Sequence, residues 1–128
     1  MLPMFPVGAT LPTDDPQRLR RFYEDVLGFE VRLERPGGIY FQAGEGTYFG
    51  ISKSGGQASG THTQMGSPCP TSRRSWPTSV SAVSFEEYES PQTVNGIARG
   101  PAGRSAWFKD PDGNLIGLIE FDSPSDAP

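Results

Sequence analysis

Two segments of this 128-residue chain are versions of one another. Residues 40–51 read YFQAGEGTYFGI, and residues 107–118, at a constant spacing of 67, read WFKDPDGNLIGL. They are identical at Phe41/Phe108, Gly46/Gly113 and Gly50/Gly117. Aromatic meets aromatic at Tyr40/Trp107, and acid meets acid at Glu45/Asp112. Each copy has two apolar stretches around a glycine-containing turn, the pattern of a β-hairpin. A repeated hairpin predicts two similar modules, and paired modules commonly enclose a cleft where a ligand can bind. The length suits one compact domain that arose by internal duplication, since a solenoid needs more copies.

Composition excludes several classes. The formal net charge is −4 with a sequence pI near 4.9, which argues against nucleic acid as the main partner, because phosphate binding needs a positive surface. The single cysteine, Cys69, cannot form a disulfide within the chain, which fits a reducing, cytoplasmic setting. No run approaches the ~20 apolar residues of a membrane span. The opening MLPMFPVGAT lacks the basic and apolar regions of a secretory signal.

Local signals order the first module. Residues 5–11 are predicted as a strand. Asp15 suits a helix N-cap and Pro16 the first helical position. Leu19, Phe22, Tyr23, Val26 and Leu27 then form one apolar stripe, and Gly28 is placed to end the helix. Residues 29–35 alternate as a strand, Pro36-Gly37-Gly38 turns, and residues 39–43 and 48–53 form the first repeated hairpin. The module reads β-α-β-β-β. Residues 54–61 are the linker, and residues 62–65 begin the second module. There, residues 85–88 are predicted as a strand and residues 89–104 as a loop. Residues 105–109 and 114–121 form the second hairpin around Asp110-Pro111-Asp112-Gly113. Residues 122–128 are predicted as a tail.

PTDDPQRLRRFYEDVLGFEV, THTQM, FEEYE and AWFKDPDGNLIGLIEF together resemble the vicinal oxygen chelate superfamily, which includes glyoxalase I, extradiol dioxygenases, fosfomycin-resistance enzymes and bleomycin-binding proteins. The resemblance covers nearly all the chain except residues 66–84. It implies an α+β fold of paired βαβββ modules, about residues 4–53 and 62–121. Their sheets wrap a small-molecule site, usually in a homodimer. The family hosts many chemistries, so function rests on the site.

In the metal-dependent members that the chain resembles, His and Glu side chains on the first and last strand of each module hold the ion. These positions fall near Gly8, Gly50, Gln64 and Gly117 here. Glycine has no side chain to donate, and a neutral amide is a poor ligand for a catalytic divalent ion. His62, the single histidine, lies two residues before Gln64, so a register shift of two makes it a ligand donor; otherwise it is a general base, or a strand-end histidine bonded to backbone. A catalytic site needs about three protein ligands, so no metal or other cofactor is expected, with a divalent metal as the alternative. Glu120 falls on the opposite face from Gly117. The ligand-binding candidates are His62, Gln64, Tyr48 and Trp107. Leu115 and Ile119 read as core, and Tyr40 as pocket wall or scaffold. Asp110 and Asp112 read as solvated, structural turn residues.

Residues 66–84 read GSPCPTSRRSWPTSVSAVS, where the family pattern requires a strand end and an amphipathic helix. Six serines, three prolines and no apolar stripe do not support that helix. A shifted reading frame permits FTVPDLEEVVADLRLRGV, a strand, turn and helix like those of module one. Two compensating frame changes near Met65 and Ser84 are the expectation this raises; a true irregular loop is the alternative. Without the helix, Ile116 and Leu118 are expected to lose cover.

The leading expectation is a glyoxalase/bleomycin-resistance-like protein that binds a small molecule in a cleft without metal. The alternatives are a lyase- or dioxygenase-type enzyme of the same superfamily, with an atypical metal site or His62 as base, and an interaction domain with a vestigial pocket.

Overall fold

The computed structural model describes residues 2–69, 83–101 and 103–121. The predicted tail and most of the serine-rich segment lie outside the described residues. The chain divides into two compact units, Met1–Ala58 and Ser59–Pro128. Each carries its own sheet.

In the first unit the elements run β1 (Ala9–Thr13), α1 (Pro16–Arg21), a π-helical turn (Phe22–Val26), β2 (Glu30–Arg35), β3 (Gly38–Gln42) and β4 (Tyr48–Lys53). The sheet order is β1-β4-β3-β2, with β1 parallel to β4 and the other pairs antiparallel. Asp15 caps α1 by accepting from the Arg18 amide at 3.2 Å, and Pro16 opens the helix. Gly28 ends the helical segment at φ +79°, a conformation open to glycine. The expected apolar stripe is only partly used. Leu19 and Tyr23 are buried, but Val26 is 42% exposed. The π-turn rotates the later residues off the face that Leu19 and Tyr23 present. The first strand starts at Ala9, not at residue 5, and Phe5 is exposed.

One face of this sheet is the core. Leu11, Ile39, Phe41, Phe49 and Ile51 alternate inward and are buried with Leu19 and Tyr23. The Tyr23 ring meets Phe41 at 5.6 Å and Phe49 at 5.2 Å, and Phe41 stacks on Phe49 at 5.1 Å. Each such burial is worth about 1.5–3 kcal/mol, so this cluster fixes which way every strand residue points.

In the second unit the order is β5 (Thr63–Cys69), β6 (Thr93–Val94), β7 (Ile97–Gly100), β8 (Gly103–Lys109) and β9 (Leu115–Phe121). The sheet runs β5-β9-β8-β7-β6, with β5 parallel to β9. β5 continues through Pro68, which an edge strand tolerates. Residues 85–88 do not form a strand; Phe85 makes only an isolated bridge to Phe108. The predicted loop at 89–104 instead holds the β6–β7 hairpin. Asn95 and Gly96 sit at φ +54° and +78°, the positive pair a tight two-residue hairpin turn needs. Ala106, Phe108, Ile116 and Leu118 form one face of β8–β9 and are all buried, so the expected loss of cover over Ile116 and Leu118 is not seen. Two mixed sheets with few helices match the paired βαβββ fold.

The repeat is visible in the backbone. Gly46 and Gly113 turn their hairpins at φ +76° and +84°. Asp110 is buried, not solvated. Its carboxylate accepts from the amides of Asp112 and Asn114 at 2.9 and 3.0 Å and from Asn114 Nδ2 at 2.8 Å. The DPDG carboxylate is therefore a structural clamp.

Candidate functional site

Alternation sends the residues between the core positions to the opposite face of each sheet. In the first unit that face carries Tyr40, Gln42, Tyr48 and Gly50. In the second it carries Ser105, Trp107, Gly117, Ile119 and Phe121. The faces correspond through the repeat. Tyr40 lies directly across from Gly50, and Trp107 directly across from Gly117.

These pairs test whether the family's metal positions fit a metal. A Cβ added at Gly50 would lie 2.9 Å from the Tyr40 ring. At Gly117 it would lie 3.2 Å from both Trp107 Nε1 and Thr63 Cγ2. At Gly8 it would lie 2.8 Å from the Tyr48 carbonyl oxygen and 3.2 Å from the Tyr48 ring. At all three positions an added Cβ would crowd an aromatic residue. Among the described residues no three His, Cys, Asp or Glu side chains group to hold an ion. The residues present do not fit a catalytic divalent metal.

The fourth position needs a correction. β5 is bulged between Thr63 and Met65, so Gln64 is the extra residue and Thr63, opposite Leu115, turns its methyl toward Gly117. Gly66 is the Cα partner of Gly117, and the β5 side chain that comes near Gly117 is that of Thr63. Gln64 Oε1 is buried and has no hydrogen-bond partner among the described residues. His62 lies outside the strand, exposed, with Nδ1 2.6 Å from Ser59 Oγ. The structure does not bring His62 together with Trp107 or Gly117 through any contact it records.

Trp107 does line a groove of about 260 Å³ in the second unit, with Ser105, Ile119, Phe121, Pro91 and Arg99 among its walls. Ile119 is 37% exposed there, whereas Leu115 is buried as expected of core. Tyr88, unmarked in the sequence reading, packs edge-on to Trp107 at 5.7 Å. Burial pushes the Tyr88 phenol above its usual range, the Glu86 carboxylate adds to this, and Lys109 opposes it. Glu120 sits on the far face. Arg104 donates to its two oxygens at 2.8 and 3.0 Å and holds its carboxyl below the usual range.

The fold and these faces define a protein of the glyoxalase type. The family model described as Glyoxalase/Bleomycin resistance protein/Dioxygenase superfamily matches residues 7–73, and the chain belongs to that superfamily. The match ends inside the serine-rich segment. Among solved structures, the chain is similar to a glyoxalase/bleomycin resistance protein/dioxygenase from Alicyclobacillus acidocaldarius (TM-score 0.70, 15% identity, covering 96% of each chain). It is also similar to the bleomycin-binding protein from Streptomyces verticillus complexed with copper(II)-bleomycin (TM-score 0.68, 19% identity, covering 92% of this chain and 97% of that one). A third is lactoylglutathione lyase from Agrobacterium tumefaciens (TM-score 0.62, 21% identity, covering 94% and 96%). At these identities the likeness establishes the fold alone. No curated protein matches the chain significantly. No helix among the described residues is long and apolar enough to cross a membrane.

Proposed function

We propose that the protein binds a small apolar or aromatic molecule on the ring-bearing faces of its sheets, and that it does so without a divalent metal. One observation carries this reading. The glycines at three family ligand positions are each packed against an aromatic residue, Tyr48, Tyr40 or Trp107. Rings that shelter glycine also offer flat apolar area to a ligand, and sequestering a ligand requires no catalytic group. Tyr48 and Trp107 are the principal binding residues of this reading, with Thr63 in place of Gln64 beside Trp107. His62 has no assigned role in it. A homodimer follows from the family resemblance, and a cytoplasmic location from the single cysteine; both belong to the proposal.

Native mass spectrometry of the purified protein, with metal analysis of the same sample, tests it. The expected result is no stoichiometric divalent metal, together with a non-covalently retained apolar molecule or ready uptake of one. Stoichiometric zinc, nickel, manganese or iron overturns it.

A further inference from the structure

β2 is bulged where it pairs with β3. Val31 lies opposite Phe41 and Leu33 opposite Tyr40, so Arg32 is the extra residue. Bulges re-aim side chains that regular alternation would send elsewhere. Here the Arg32 guanidinium carbon lies 5.5 Å from the centroid of the Tyr48 ring. Tyr48 in turn packs edge-on to Tyr40 at 6.3 Å. The bulge thus adds a cation to the face that carries both tyrosines.

How Arg32 is held matters. Three other arginines of this acidic chain are engaged by carboxylates: Arg18 by Asp14 at 3.3 Å, Arg20 by Glu34 at 2.9 Å and by Glu24, and Arg104 by Glu120 at 2.8 Å. Arg32 is exposed and has neither an ion pair nor a side-chain hydrogen bond among the described residues. A guanidinium seated over a ring face can still donate its N–H fork, which lies in the guanidinium's own plane. The other charged groups on this face of β2–β4 are Glu30, opposite Gln42, and Arg35, opposite Gly38, at the two ends of the strand pair. Glu30 shares a row with Gln42 and Tyr48, yet among the described residues it makes no ion pair with Arg32.

We propose that Arg32, Tyr48 and Tyr40 form a subsite for a flat ring bearing a carboxylate. The ring lies beside the tyrosines, and the carboxylate takes the guanidinium fork in a bidentate pair, the geometry that arginine matches best. This assigns the ligand's chemical class and rests on the reading that this face binds a small molecule.

The test titrates the full chain with 2-naphthoate and with 2-naphthamide, which share a ring and differ in charge. Following the tyrosine ring signals by NMR gives both affinities. The wild type is expected to prefer the carboxylate by about tenfold. Arg32→Gln should abolish that preference while leaving amide affinity within about twofold. Arg32→Lys should keep only part of it, because an ammonium cannot make the forked pair. Equal affinities in the wild type, or an unchanged ratio in Arg32→Gln, overturn the subsite and leave the broader reading standing. If neither compound binds, both fail.

Discussion

The Cβ that Gly50 lacks would sit 2.9 Å from the ring of Tyr40, its direct partner across β3 and β4. Sixty-seven residues later the same relation holds between Gly117 and Trp107, at 3.2 Å. Gly50 does not need positive φ, so its absent side chain is explained by space alone. Gly50→Ala should gain about 0.4–1 kcal/mol from the stiffer unfolded chain and lose about 1–3 kcal/mol to overpacking against the ring. The net expectation is a loss of about 1 kcal/mol in urea unfolding. In a Tyr40→Ala background the same change should be neutral or stabilising. A cost unaltered by removing the ring would show that Tyr40 is not what excludes a side chain.

Gly96 is constrained differently, and its substitution should cost more. It sits at φ +78°, and an added Cβ would lie 2.5 Å from Phe85 Cβ. Its amide also donates to Glu87 Oε1 at 2.7 Å. Strain in the left-handed region and the clash together predict a loss of roughly 2–4 kcal/mol for Gly96→Ala. Equilibrium unfolding of Gly96→Ala beside Gly50→Ala checks the ranking, and a smaller loss at Gly96 contradicts it.

The pair Arg104–Glu120 should make stability depend on acid. Arg104 holds the Glu120 carboxyl below its ordinary value, mainly through the forked hydrogen bond, so the charged form is the one the fold stabilises. The stability it supplies is present above the unfolded-state value, about 4.3 for Glu, and is lost as pH falls through the lower folded value. Glu120→Gln should therefore flatten the stability–pH curve below pH ~4.3. At neutral pH Arg104→Gln should cost about 1–3 kcal/mol, since Glu120, with 14% of its side chain exposed, loses two donors. Parallel curves for wild type and Glu120→Gln would remove the pair from the account of acid stability.

What the sequence showed and hid follows from the range of each signal. Asp15, Pro16 and Gly28 act on backbone within three residues of themselves, so the helix ends were legible. The repeat at Gly50 and Gly117 was legible too, because both copies carry the same residue at a spacing of 67. The bulges were not. A strand reading assumes a period of two, and one extra residue at Arg32 or Gln64 exchanges the faces beyond it. That is why the sequence alone does not show Arg32 joining the tyrosine face or Thr63 turning its methyl toward Gly117. The β6–β7 hairpin escaped because its strands, two and four residues long, are too short for periodicity. Asn95-Gly96 was the signal that could have found it. Asp110 was misread as solvated, because a turn sequence does not reveal which of its carboxylates folds back onto its own amides.

Residues 66–84 are where local preference and the family pattern disagree most sharply. The segment contains three prolines and six serines, and its alternative frame, FTVPDLEEVVADLRLRGV, contains leucines and valines at helical spacing before a glycine. Consistent local preferences stabilise a fold beyond any single contact. Replacing residues 66–84 by the shifted-frame sequence should therefore raise stability. A gain of about 2 kcal/mol corresponds to a rise in Tm of roughly 6–10 °C for a chain of this size. The face formed by Ile116 and Leu118 is already buried, so the gain should come from the substituted segment itself and not from covering those two residues. Thermal unfolding of the two proteins, followed by circular dichroism, checks the gain: a helical signal and Tm that both rise support it, and equal melting temperatures refute it, while the frame-change origin itself is decided by sequencing the coding DNA, where an uninterrupted, independently confirmed frame would sink it.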